Sequence, residues 1–72
     1  MLNLELELIA PAQTQIEMVD LMGKVVKQIS NENLSSGNHQ FQVQTNDLSN
    51  GIYFIRINSN GKTTQYKVSV KH

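Results

Sequence analysis

Cysteine is absent from this chain, so no disulfide staples it and no thiolate holds a metal. Tryptophan is absent too, and the aromatic side chains amount to two tyrosines and two phenylalanines, too few for a broad stacking platform. An excess of charge of either sign is missing. Six basic and six acidic residues cancel, which removes the electrostatic basis for binding DNA, RNA or an anionic bilayer surface. No run is long and apolar enough to span a bilayer as a helix, so no direct membrane insertion is expected. The opening "MLNLELELIAPAQ" lacks the positive start of a signal peptide, and its leucines alternate with Asn3, Glu5 and Glu7. Helical periodicity, internal repeats and low-complexity segments are also missing. At 72 residues the chain is one small domain with a modest core.

What the chain does have is period two. Leu2, Leu4, Leu6 and Leu8 alternate with polar residues, as in a half-buried strand. "APAQT" (Ala10 to Thr14) reads as a break, because Pro11 cannot donate to a ladder. Gln15 to Leu21 reads as a second strand with Ile16 and Met18 on one face. In "DLMGK", Asp20 suits the first position of a type I turn and Gly23 a position of positive φ, predicting a hairpin with a third strand over Val25 to Ile29.

"SNENLSSGN" (Ser30 to Asn38) reads as a polar loop. His39, Phe41, Val43 and Thr45 then alternate with Gln40, Gln42 and Gln44, which predicts an inward apolar face and an outward glutamine face. Ile52 to Asn58 carries apolar residues on both parities, with Ile52 and Phe54 on one and Tyr53, Ile55 and Ile57 on the other. That pattern suits a strand covered on both sides at its start. Asn60-Gly61 is a strong hairpin signal, and Thr64, Tyr66, Val68 and Val70 alternate with Gln65, Lys67, Ser69 and Lys71 after it. Six or seven short strands of this kind predict an all-β fold, a small antiparallel immunoglobulin-like sandwich.

No constellation for catalysis, cofactor or metal emerges. Glu5 and Glu7 share one strand face at a spacing near that of a glycosidase pair, but nothing apolar surrounds them in the sequence, and they read as a solvent face. His39 and His72 are far apart, with no clustered acid or cysteine beside them. The serines at 30, 35, 36, 49, 59 and 69 lack a nucleophile elbow. Asp20 has no second acid nearby for calcium, and the turn accounts for it. Met18 and Met22 suggest an adaptable surface, though Met18 fits ordinary core filling. Tyr53 and Tyr66 suggest a sugar platform, yet by parity both point inward.

Three segments carry a resemblance. "DLMGKVV" (Asp20 to Val26), with Asp20, Gly23, Lys24 and Val26, resembles the Asp-x-x-Gly-Lys-x-Val element of the C-terminal sorting domains, type A, of the type IX (Por) secretion system of Bacteroidetes. "LSNGIYFIRI" (Leu48 to Ile57), with Leu48, Gly51, Tyr53 and Ile55, resembles that family's Leu-x-x-Gly-x-Tyr-x-hydrophobic element. "YKVSVKH" (Tyr66 to His72), with Lys67, Val68, Val70 and Lys71, resembles its closing Lys-hydrophobic-x-Val-x-Lys segment. Order and spacing agree across nearly the whole chain. Nothing like the family's Pro-Asn-Pro element precedes Leu2, which implies that residues 1–72 are a sorting domain excised from a larger secreted precursor, starting downstream of that element.

The resemblance implies a non-catalytic delivery tag that needs no cofactor. Its cargo reaches the periplasm, crosses the outer membrane through the type IX translocon, and ends at the cell surface or outside. The implied partners are the translocon, an outer-membrane shuttle protein and a surface sortase. Gly51 and Gly61 are expected to supply tight chain geometry, and Tyr53, Ile55, Val68 and Val70 to anchor the last two strands. Lys67, Ser69 and Lys71 are expected to project from an edge strand whose free backbone groups can pair with a partner, including a strand-exchanged second copy. The competing reading is an immunoglobulin- or fibronectin-like accessory module for carbohydrate or protein, which predicts a row of exposed aromatics on one face. An inert spacer is a weaker third reading.

Overall fold

The computed structural model describes all 72 residues and contains six strands and no helix. They are β1 (Leu2–Leu8), β2 (Ala12–Val19), β3 (Val25–Leu34), β4 (Gly37–Val43), β5 (Gly51–Ser59) and β6 (Lys62–Val70). All pairing is antiparallel. β1 and β4 form a two-stranded sheet, and a four-stranded sheet has the order β3-β2-β5-β6. This order matches the C′-C-F-G and B-E sheets of an immunoglobulin-like sandwich.

The core follows from period two, because side chains of one parity on β2 and β5 meet those of β1 and β4. Ile16 and Met18 of β2, Val43 of β4, Tyr53 and Ile55 of β5 and Val70 of β6 form its buried centre. Leu2, Leu4 and Leu6 of β1 pack against it only half-buried, since β1 is an edge strand with an open groove on its free side. Gln40, Gln42 and Gln44 are exposed, and so are Glu5 and Glu7. The last hairpin turns through Asn60 and Gly61 at φ of 52° and 81°, the two left-handed residues that a type I′ turn requires.

Three expectations are corrected. The break after β1 is only Ile9 to Pro11, and β2 begins at Ala12, so Thr14 lies in the core instead of a loop. Its hydroxyl donates to the Ala12 carbonyl at 3.2 Å, which satisfies it locally. β2 also ends at Val19, leaving Leu21 in the turn. The supposed polar loop from Ser30 is strand as far as Leu34, paired with β2 through Ala12↔Leu34, and only Ser35 and Ser36 link it to β4. An edge strand with water on one side gains its ladder hydrogen bonds whatever its side chains, so a polar sequence does not forbid it. β3 carries two register shifts opposite Ile16/Glu17 and Met18/Val19. These bulges displace Val26 and Ile29 from plain alternation, yet both still pack on the core.

The third correction is Tyr66. Its parity places it on the inner face opposite Ile55, but 56% of it is exposed, because β6 overhangs the narrow β1-β4 sheet.

Candidate functional site

The three motif-bearing segments converge at one end of the sandwich. β2 runs into the Asp20 turn, and its last residue, Val19, pairs with Phe54 near the start of β5. Gly51, which opens β5, pairs with Val70, the last residue of β6. The 20–24 turn, the 44–50 connection and the chain's tail therefore lie together, although Asp20 and His72 are 52 positions apart in sequence.

Asp20 builds the first of these. Its Oδ1 accepts hydrogen bonds from the amides of Met22 and Lys24, both at 2.9 Å. The Gly23 amide donates to the Asp20 carbonyl at 3.0 Å, and the Asp20 amide to the Lys24 carbonyl at 2.9 Å. Gly23 sits at φ 84°, the left-handed region that costs a side chain about 1 kcal/mol or more. With the backbone fixed in this way, Leu21 and Met22 point outward, 69% and 91% exposed, and Val25 beside them is also exposed. Lys24 is exposed and Val26 half-buried.

Tyr53 builds the second segment. Its ring is in the core, and its hydroxyl donates to the Ser49 carbonyl at 2.8 Å. This is the tyrosine corner of an immunoglobulin-like fold, which pins the connection before strand F. Leu48 packs on the core, and its amide donates to the Thr45 carbonyl at 3.0 Å. Gly51 opens β5 at φ 158° and Gly61 turns the last hairpin at φ 81°, both in backbone conformations that residues with a side chain rarely adopt.

The tail closes over this connection. The His72 amide donates to Asn50 Oδ1 at 3.0 Å, and His72 Nε2 lies 2.8 Å from the Leu48 carbonyl. His39 is tied separately to the Ser35 carbonyl at 2.7 Å, so the two histidines do not meet. Val70 is buried and Val68 half-buried, whereas Lys67, Ser69 and Lys71 face solvent. β6 pairs only with β5, and its other flank is free along its whole length.

Two ion pairs brace the sheets. Lys27 Nζ contacts both oxygens of Asp47 at 2.9 Å, clamping β3 to the 44–50 connection. That hydrogen bond holds the Asp47 carboxyl below its ordinary pKa. Stability from this contact is therefore present above the unfolded-state pKa, about 3.9, and disappears as pH falls through the lower folded value. In Lys27→Ala, the Asp47 carboxyl titration followed by NMR is expected to move up toward the ordinary value. An unmoved titration means that the clamp does not form in solution. On the outer face, the Arg56 guanidinium holds Glu17, whose side chain is only 13% exposed, with Nε–Oε1 at 2.9 Å. An isolated buried carboxylate is costly, so this pair fixes the β2/β5 register on that face.

Of the residues singled out by motif, Asp20, Gly23, Lys24, Leu48, Gly51, Lys67 and Lys71 lie at or near this end. Tyr53, Ile55, Val68 and Val70 anchor it from within, and Val26 does so from β3. Leu21 is an exposed residue that periodicity had assigned to a strand. The signal that finds it is the Asp-x-x-Gly spacing, which puts positions two and three at the tip of a turn. The aromatics form no exposed row: Tyr53 is buried, and Phe41 and Phe54 are half-buried on opposite sheets. Among known proteins, residues 1–71 match the family described as "Secretion system C-terminal sorting domain". No curated protein and no solved structure matches the chain.

Proposed function

Since the chain belongs to the secretion system C-terminal sorting domain family, that of type IX secretion, we propose that it is a non-catalytic address read by shape. It directs an attached cargo from the periplasm across the outer membrane and to the cell surface. The observation that carries this reading is the convergence of three separated motif segments on one end of a compact sandwich. A receptor serving unrelated cargoes must read what the tag itself brings, and a rigid tag costs less ordering entropy on binding.

The recognition surface in this reading has two parts. One is the apolar tip, Leu21 and Met22, held outward by Asp20 and Gly23. Methionine suits a surface that must accommodate a partner's pocket. The other is the free edge of β6 with Lys67, Ser69 and Lys71 beside it, able to accept a partner strand through its backbone. Most of the remaining motif residues hold this arrangement in place. The translocon and a shuttle protein are the readers, and a surface sortase acts after passage.

The test is a fusion of residues 1–72 to a periplasm-targeted reporter in a type IX-competent host, scored by surface labelling. The parent fusion is expected at the surface. Leu21→Ser combined with Met22→Ser should leave the melting temperature within a few degrees, since surface substitutions cost about 0.5 kcal/mol or less. It should lower surface display several-fold. A folded double variant displayed like the parent removes the tip from the recognition surface. A parent fusion retained in the periplasm overturns the reading and favours an accessory binding module.

A further inference from the structure

The two flanks of the sandwich differ. On one flank, β3 is bulged and tied to β4 by the short Ser35–Ser36 link, both devices that discourage added strands. On the other flank, β1 and β6 are regular, unbulged and each paired on one side only. Between these two free edges runs an apolar groove of about 300 Å³, floored by Ile16 and Ile55 and walled by Leu4, Leu6, Tyr66 and Val68. Leu2 continues it beside Val70. Leu2 therefore lies toward the Val70 end of the groove and Leu4 and Leu6 toward the end lined by Val68 and Tyr66, so β1 and β6 run antiparallel across it.

The edges carry opposite charge. Glu5 and Glu7 stand on the outer face of β1, and Lys67 on the outer face of β6 with Lys71 just beyond it. Pairing β6 with another β6 brings lysines together, and pairing β1 with another β1 brings glutamates together. Like charges directly opposite are unfavourable in a sheet. Pairing β1 with β6 is favourable on both counts.

We infer that two copies of this chain associate groove to groove about a two-fold axis parallel to the strands, β1 of each pairing with β6 of the other. Such an axis preserves strand direction and exchanges the two sheets. The new pairs are then antiparallel, and the charged faces of both strands lie on the same outer side. Because heights along the axis are kept, Glu5 faces Lys67 of the second copy and Glu7 sits diagonal to it. The two strands of one sheet join the four of the other, giving two continuous six-stranded sheets with the apolar grooves closed against each other. The contact is isologous and closed, and it needs no exchange of strands. It stands apart from the sorting reading, but it hides the β6 edge, so self-association and strand capture by a receptor exclude each other.

Sedimentation equilibrium of the 72-residue chain across a series reaching millimolar concentration tests this. The mass is expected to rise from 8.1 kDa to twice that value and stop there. A mass that stays at 8.1 kDa, or that grows past two copies, overturns the inference. Lys67→Glu should weaken dimerisation by about tenfold or more while circular dichroism stays unchanged, and adding Glu5→Lys should restore it. Failure of the double exchange to restore association rules out this pairing. The lack of native cysteine gives a second measure. Glu5→Cys mixed with Lys67→Cys should form a disulfide-linked pair, and Glu5→Cys alone should not. Self-linking of Glu5→Cys in place of the mixed product overturns the geometry.

Discussion

A fusion whose sorting domain ends at Gln65 is expected to remain wholly in the periplasm. Removing Tyr66 to His72 deletes most of β6 and with it Val68 and Val70, which pack beside Tyr53 and Ile55 of β5 in the core. It also removes the His72 contacts to Leu48 and Asn50, so the connection pinned by Tyr53 loses its outer tie. Lys67, Ser69, Lys71 and the free edge disappear with it. Surface labelling should fall to the level of the reporter without a tag. Undiminished display of the truncated fusion would refute the sorting assignment, because nothing then remains of the closing motif. Loss of fold and loss of the recognition surface coincide in this deletion. The serine variants of Leu21 and Met22, which leave the core alone, separate the two.

The largest effect on stability is expected at Ile55. It is 1% exposed, lies in the centre of the core, and floors the groove between β1 and β6. Truncating a buried isoleucine to alanine costs about 2–5 kcal/mol, the spread reflecting how far neighbours collapse into the void. A domain of this size holds roughly 4–11 kcal/mol in total, at about 0.05–0.15 kcal/mol per residue. Ile55→Ala should therefore lower the melting temperature by roughly 10 °C or more, and in the less stable part of that range leave the chain largely unfolded at 37 °C. Ile55→Val removes one methylene and should cost only about 0.5–1.5 kcal/mol. An alanine variant melting within about 2 °C of the parent would mean that the site is not packed as described.

Much of the architecture was legible because alternation is local. The leucines of β1, Ile16 and Met18, the glutamine face of β4, and the Asn60-Gly61 turn each declare themselves within a few residues. Thr14 was legible too, since Ala12, Thr14, Ile16 and Met18 share one parity; Pro11 drew the boundary too late. β3 beyond Ile29 was not legible. Its polar residues have no preferred face, and it is a strand because β2 offers it a ladder. The exposure of Tyr66 was hidden for a related reason, as parity says which face a side chain takes and not whether anything lies above it.

The amino-acid order alone determined the strands with one apolar face, the turns at Asp20–Gly23 and Asn60–Gly61, and the family motifs, since each depends on neighbours a few bonds away. Only the tertiary structure decided that these motifs meet at one end, that four strands overhang two, and that β1 and β6 keep their outer edges free. Those features depend on which strands pair across tens of residues. Long-range pairing is selected by the fit of whole faces, which no single segment carries.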